Sequence, residues 1–170
     1  MPNAAAGAGE SAFWQFSLEF YARSGVAAAC LELQDNAGAD VNVMFYVLFL
    51  ATQSRQIEQA EAAHIDASVK AWRQIAVVPL RTLRRRLKTG VAPIAAADSE
   101  ALRSAVKRIE LESERIEQEW LERNVPASVG RRAASPLAAA RANLDAYGSV
   151  CGGLPAAPVA VLLNAYARTP

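Results

Sequence analysis

The chain is poor in the residues that most enzymes use for chemistry. Its 170 residues include one histidine and two cysteines. It has no Cys-x-x-Cys pair, no His-Glu-x-x-His string and no glycine-rich phosphate loop, so the zinc and nucleotide sites that a sequence can announce are excluded. A serine or cysteine nucleophile of the usual kind would need His64 as its base. His64 stands between Glu61 and Asp66 near the start of a helical pattern, the setting of a solvated surface residue. Cys30 and Cys151 lie outside any metal-ligand spacing, and two free thiols fit a cytoplasmic protein. Cys30 sits on an apolar stretch and reads as a small buried hydrophobe. The first ten residues form an Ala/Gly-rich tail without the basic start and apolar core of a secretory signal. The longest apolar run, Val43 to Ala51, is shorter than the ~20 residues a membrane helix needs. A net charge of +1 gives no global attraction to nucleic acid or to a membrane surface. No strand alternation stands out, and no cofactor or metal is expected.

What the chain does have is helical periodicity. Apolar residues make up 52% and charged residues 21%, which suits a packed core. The fold class expected is all-α: a single-domain bundle of about six to seven helices over residues 11–170, behind a tail at 1–10. Ser11 caps a first helix, Ala12 to about Arg23, whose cluster of Trp14, Phe16, Phe20 and Tyr21 reads as core rather than a cofactor box. Val26 to Asn36 is a second helix, with Gly38 as its left-handed stop. Asp40 caps a third helix, Val41 to about Gln53, which is apolar nearly all round and therefore central. A long charged hairpin follows over about 55–122. Its first arm is kinked or broken at Pro79, which cannot bond the Ile75 carbonyl. Its second arm is capped by Asp98 or Ser99 and carries a heptad-like seam of Leu102, Val106, Ile109, Ser113, Ile116 and Trp120. Ser135-Pro136 opens a sixth helix ending at Gly148, and Val159 to Ala167 forms a short last one.

Charge is segregated along the hairpin. Between Asp66 and Asp98 there is no acid, while Lys70, Arg73, Arg81, Arg84, Arg85, Arg86 and Lys88 fall in that interval. The following helix holds Glu100, Glu110, Glu112, Glu114, Glu117, Glu119 and Glu122. Either the two helices pair their charges across the seam, or Arg81 to Lys88 forms a patch for phosphate or nucleic acid with Trp72 available for stacking. Successive helical residues point about 100° apart, so Arg84, Arg85 and Arg86 cannot all face one partner.

The segment Gln34 to Asn42 packs polar side chains, a glycine and two carboxylates between helices. Asp35 lies in the last turn of its helix, against the dipole. It calls for backbone amides, for an arginine of the kinked helix such as Arg73 or Arg81, or for a ligand. Asp40 could receive the same arginine. With the amides of Gln34, Asn36 and Asn42, the two acids could hold a hard cation, although the spacing is not that of a calcium loop.

The strings Phe13-Trp14-Gln15-Phe16-Ser17-Leu18 with Tyr21, Leu31-Glu32-Leu33-Gln34-Asp35 with Gly38 and Asp40-Val41-Asn42, and Trp72-Arg73 with Pro79-Leu80-Arg81 and Arg84-Arg85 carry a resemblance. Over roughly residues 12 to 122 they resemble an uncharacterised family of small bacterial proteins, a domain of unknown function. The resemblance implies a bacterial cytoplasmic protein and brings no activity, cofactor or catalytic residue. The sequence thus reads as a non-enzymatic helical interaction or adaptor protein. Its expected ligand or partner contacts are Gln34, Asp35, Asp40, Asn42, Trp72, Arg73, Arg81, Arg84 and Arg85. The partner expected is a protein, with a homodimer through the heptad-like helix as one form. The alternative is an anionic ligand, nucleic acid or a phosphate-bearing small molecule, on the basic kinked helix. A more distant one is an enzyme or metal site built on Asp35 and Asp40.

Overall fold

The computed structural model describes residues 11–168 apart from Val91 and Ala127, so the expectation for the tail at 1–10 lies outside the described residues. Helix α1 (Ala12–Tyr21) begins at Ser11, whose Oγ accepts a 3.0 Å bond from the Trp14 amide. Helix α2 (Val26–Ala37) stops at Gly38 with φ +64°, the left-handed turn foreseen for it. Helix α3 (Val41–Thr52) is buried along most of its length and forms the axis of the molecule. Phe13 and Phe20 of α1 meet it edge-on, with ring centroids 5.0 Å from Tyr46 and 5.3 Å from Phe45. Helix α7 (Pro136–Val150) packs along its other side, and helix α8 (Ala156–Tyr166) covers α2 and α7. No helix among the described residues is long and apolar enough to cross a membrane.

The hairpin differs from the sequence reading in four respects. Its first arm begins later, at helix α4 (Gln59–Trp72), with Glu58 and Glu61 forming a reciprocal capping box. Ahead of it, β1 (Arg55–Gln56) pairs antiparallel with β2 (Arg131–Arg132), two strands too short to show any alternation. The irregularity expected at Pro79 appears upstream, as a π-helical turn over Arg73–Val77 that leads into helix α5 (Val78–Leu87). The wide turn takes up the misfit of a residue with no N–H to offer Ile75. The second arm, helix α6 (Ala96–Asn124), starts from Ala95 rather than Asp98 or Ser99. Ser99 is buried and donates its hydroxyl to the Leu87 carbonyl across the hairpin.

The largest correction concerns which face of α6 looks inward. Of the heptad-like seam only Val106 and Ser113 are buried, whereas Leu102, Ile109, Ile116 and Trp120 are exposed. The inward face carries Glu110, Glu117 and Gln118 with Leu121. The reason is electrostatic. Arginines of the opposite arm lie within the fold and require carboxylates, which outweighs the burial of three aliphatic side chains.

One buried amide joins three elements. Asn143 on α7 is fully buried; its Nδ2 donates to the carbonyls of Val47 and Arg55, both at 2.8 Å, and its Oδ1 accepts from the Ile57 amide at 2.8 Å. It thereby fixes the exit of α3 and the start of β1 against α7. Asn143→Ala would leave the Ile57 amide and the Arg55 carbonyl without this partner, at ~1–3 kcal/mol each when no replacement forms, while the Val47 carbonyl keeps its place in the α3 ladder. Urea unfolding should show a loss of about 2 kcal/mol or more. A loss under about 1 kcal/mol would mean the two groups find other partners.

Candidate functional site

The polar corner between α2 and α3 is built around Asp40. Its Oδ1 caps α3, accepting from the amides of Asn42 at 2.7 Å and Val43 at 3.1 Å. Its own amide donates to the Tyr147 hydroxyl at 2.8 Å. The other carboxylate oxygen lies 2.5 Å from Nε of Arg73, the first residue of the π turn. That approach is close without being in line, because Arg73 Nε makes no hydrogen bond of regular geometry. Arg73 also donates to Asp66, at 2.9 Å to the carboxylate and 3.1 Å to the carbonyl. Burial pulls the Arg73 pKa down, and Asp40 and Asp66 more than offset it, so the guanidinium stays charged in the interior.

Beside this corner α1, α2, α5 and α6 enclose a cleft of about 480 Å³, lined also by the first turn of α3. The size suits a small organic ligand. One wall is apolar and comes mainly from Trp14, Leu18, Tyr21, Leu31 and Leu111. The opposite wall is cationic. Arg84 forks onto Glu110, with Nη2 at 3.1 Å and Nε closer still, and Arg81 reaches Glu114 at 2.8 Å. Lys107 lines the same wall and forms no ion pair among the described residues. At the rim Arg85 bonds Asp35 at 3.0 Å, both side chains half exposed, which links the α5 and α2 walls. Asp35 thus bonds an arginine of the kinked arm, Arg85 rather than Arg73 or Arg81, and that hydrogen bond holds its carboxyl below the ordinary range.

Two residues that line the cleft each carry a covered polar atom without a hydrogen bond. Ser17 and Gln118 are each 4% exposed, and both Ser17 Oγ and Gln118 Oε1 are unpaired. The other end of the Gln118 amide is engaged, donating to Asn42 Oδ1 at 2.8 Å. Buried acceptors of this kind normally have a partner. Cys30 lines the cleft too, but burial pushes its thiol up to about 12, far from the thiolate needed for reactivity.

The residues singled out in the sequence are distributed unevenly about this cleft. Gln34, Asn42, Arg81, Arg84 and Arg85 line it, Asp35 sits at its rim, and Asp40 with Arg73 forms the corner behind it. Trp72 faces elsewhere, donating its indole N–H to the Ser113 carbonyl at 3.0 Å, so it is not a stacking platform for the arginine run. Asp35 and Asp40 are held by different arginines and do not converge on one ligand position. Among the described residues no group of three or more His, Cys, Asp or Glu could hold a metal. The basic run divides: Arg81 and Arg84 turn to the acidic helix, Arg85 to Asp35, and Arg86 and Lys88 to solvent. Ser17, Lys107, Glu110, Glu117 and Gln118 were missed by sequence reasoning. The signal available was polar side chains recurring at helical spacing on α6. A second cavity of about 760 Å³ lies between α7 and α8, and none of the unpaired buried atoms lines it.

Fold and cleft together define an all-α protein with an amphipathic, arginine-walled cavity held open by a buried ion-pair corner. Over residues 12–121 the chain matches the family described as "Protein of unknown function (DUF2390)", and it belongs to that family. No curated protein and no solved structure matches it. The matched segment contains every residue of the cleft, which runs from Trp14 to Gln118, and excludes α7 and α8.

Glu117 lies against the same corner at 1% exposure. Burial, then the like charge of Asp40, raises its pKa well above the carboxylate range, against the opposing pull of Arg73. The folded state therefore retains a proton that the unfolded chain releases, and stability falls as pH rises above the ordinary carboxylate range, by at most about 1.4 kcal/mol per unit. Glu117→Gln mimics the protonated form. Its stability should equal that of the wild type near pH 4 and exceed it increasingly toward pH 8. A variant that is much less stable at neutral pH would show Glu117 to be ionised and paired.

Proposed function

We propose that the protein is a non-enzymatic binding protein, and that its cleft holds a small amphipathic organic anion carrying a hydroxyl or amino group. The observation that carries this reading is the pair of unpaired polar atoms, Ser17 Oγ and Gln118 Oε1, each just beneath the surface on a side chain that lines a cleft with a cationic and an apolar wall. Gln118 Oε1 can only accept, so the matching ligand atom is an O–H or N–H donor. Lys107 forms no ion pair among the described residues, and the exposed Arg85–Asp35 contact is weak enough to be exchanged for a ligand anion. Trp14, Leu18, Tyr21 and Leu31 accommodate a chain or a ring. The only histidine is exposed on α4 and does not line the cleft, which favours binding over acid–base chemistry.

The same geometry argues against a nucleic-acid footprint. Arg81 and Arg84 are engaged with Glu110 and Glu114, leaving α5 without a continuous outward basic stripe. We place the protein in the bacterial cytoplasm, which accords with its family resemblance and with two free thiols.

The test is a melting-shift and calorimetric series. The probes are medium-chain alkyl carboxylates with and without a hydroxyl near the carboxyl, the matching alcohols, and inorganic phosphate. The hydroxylated carboxylate should raise the midpoint most, and the alcohols and phosphate little. Gln118→Leu should remove the advantage of the hydroxyl, about fivefold in affinity for a hydrogen bond of ~1 kcal/mol. Lys107→Glu, on the surface, should weaken both carboxylates without lowering the unliganded midpoint. No shift with any carboxylate, or unchanged binding in Lys107→Glu, would refute the proposal.

A further inference from the structure

The exposed apolar stripe of α6 has a second use, independent of the cleft. Leu102 is 52% exposed, Ile109 55%, Ile116 38% and Trp120 39%. Their steps of seven, seven and four residues place them within about 40° of one another around the helix. They therefore form one ridge, set to the side of the inward face that holds Val106, Glu110, Ser113 and Glu117. Trp72 continues the ridge, since its indole bonds Ser113 on that stretch of α6. Ile75 of the π turn, 77% exposed, is a further large side chain left in solvent on the facing arm. A solvated face on a monomer has no need of a heptad-spaced aliphatic row, and a contiguous apolar patch of this kind marks an interface.

We infer that this ridge is the interface between two copies of the chain, joined antiparallel through α6. The charges flanking the ridge decide both the occupant and the direction. Outside it, along the same edge, run Asp98, Arg108, Glu112 and Arg123. A two-fold axis passing near residue 110 brings the two Ile109 side chains together and sets Leu102 into the hole between the partner's Ile116 and the partner's Trp120. The same operation places Arg108 opposite the partner's Glu112, and Asp98 close to the partner's Arg123. The Ile109 contact lies on the axis and each of the others occurs twice, as a closed two-fold interface requires. Parallel packing would instead carry Arg108 and Glu112 of the two chains to opposite outer sides of the pair, where neither meets its complement. Arg108 forms no ion pair within the described residues, while Glu112 and Arg123 would exchange their exposed intrahelical contacts with Arg115 and Glu119, each of little worth, for the partner's charges. The ridge is self-complementary in shape and charge only in the antiparallel sense, and this is why a second copy fits it.

Sedimentation velocity on the full chain tests this directly. A reversible dimer is expected at micromolar concentration. Ile109→Glu should abolish it while leaving the helical circular dichroism unchanged, because the side chain is exposed in the monomer. Arg108→Glu should weaken the dimer about tenfold, and adding Glu112→Arg should restore it by re-forming the pairs with signs exchanged. A chain that stays monomeric at high micromolar concentration would overturn the inference. So would a dimer that survives Ile109→Glu, or a double variant weaker than Arg108→Glu alone.

Discussion

Everything distinctive about this fold depends on the contact between Asp40 and Arg73. Asp40 is a helix cap, a hydrogen-bond partner of α7 through Tyr147, and the counter-ion of a guanidinium in the protein interior. Arg73 opens the π turn, the point where the hairpin's first arm departs from regular α geometry. A regular helix through 73–77 would place the following arginines about 100° differently around the arm. The irregular turn, the buried ion pair and the position of Arg81 and Arg84 are therefore a single arrangement. A buried carboxylate–guanidinium pair contributes little net stability against well-packed apolar side chains, but losing one partner is costly. Such a contact suits the role of fixing geometry.

That geometry explains why α6 turns its acids inward. Once Arg73, Arg81 and Arg84 lie within the molecule, Glu110 and Glu114 must face them, and Gln118 is carried around to the cleft. The aliphatic residues that would ordinarily fill a hairpin seam are displaced to the outer edge of α6. The cleft and the exposed ridge are thus opposite consequences of the same rotation, one lined by side chains with unsatisfied polar atoms, the other left apolar. The mechanism by which Glu117 keeps its proton belongs to the same arrangement, since Asp40 already occupies the charge that Arg73 can neutralise.

Much of the fold was legible in local signals. Ser11, Gly38, Asp40 and Ser135 mark helix ends by capping chemistry, and α3 announces itself as central by being apolar on every side. The opposite charges of the two arms foretold their pairing. The rotation of α6 was not legible, because periodicity assigns apolar positions to the interior and cannot weigh three half-buried arginines against three aliphatics. Pro79 signalled an irregularity but not its form or place, since a wide turn six residues upstream depends on where Arg73 is held. Gln34, Asn42, Arg81, Arg84 and Arg85, singled out by their clustering in sequence, line the cleft. Ser17 and Gln118 were not singled out, because a serine and a glutamine in amphipathic helices carry no mark until their unpaired atoms are located in space.

The most direct test is a double-mutant cycle on unfolding free energy, using Asp40→Asn, which keeps the helix cap but removes the charge, and Arg73→Met. Arg73→Met should lose about 3–5 kcal/mol, as expected when a buried carboxylate loses its partner, and Asp40→Asn less, because Asp66 still holds the guanidinium. The double variant should lose clearly less than the sum, with a coupling of ~1–3 kcal/mol. Strictly additive losses would contradict the account, because they would mean that Asp40 caps its helix and Arg73 opens its turn independently of one another.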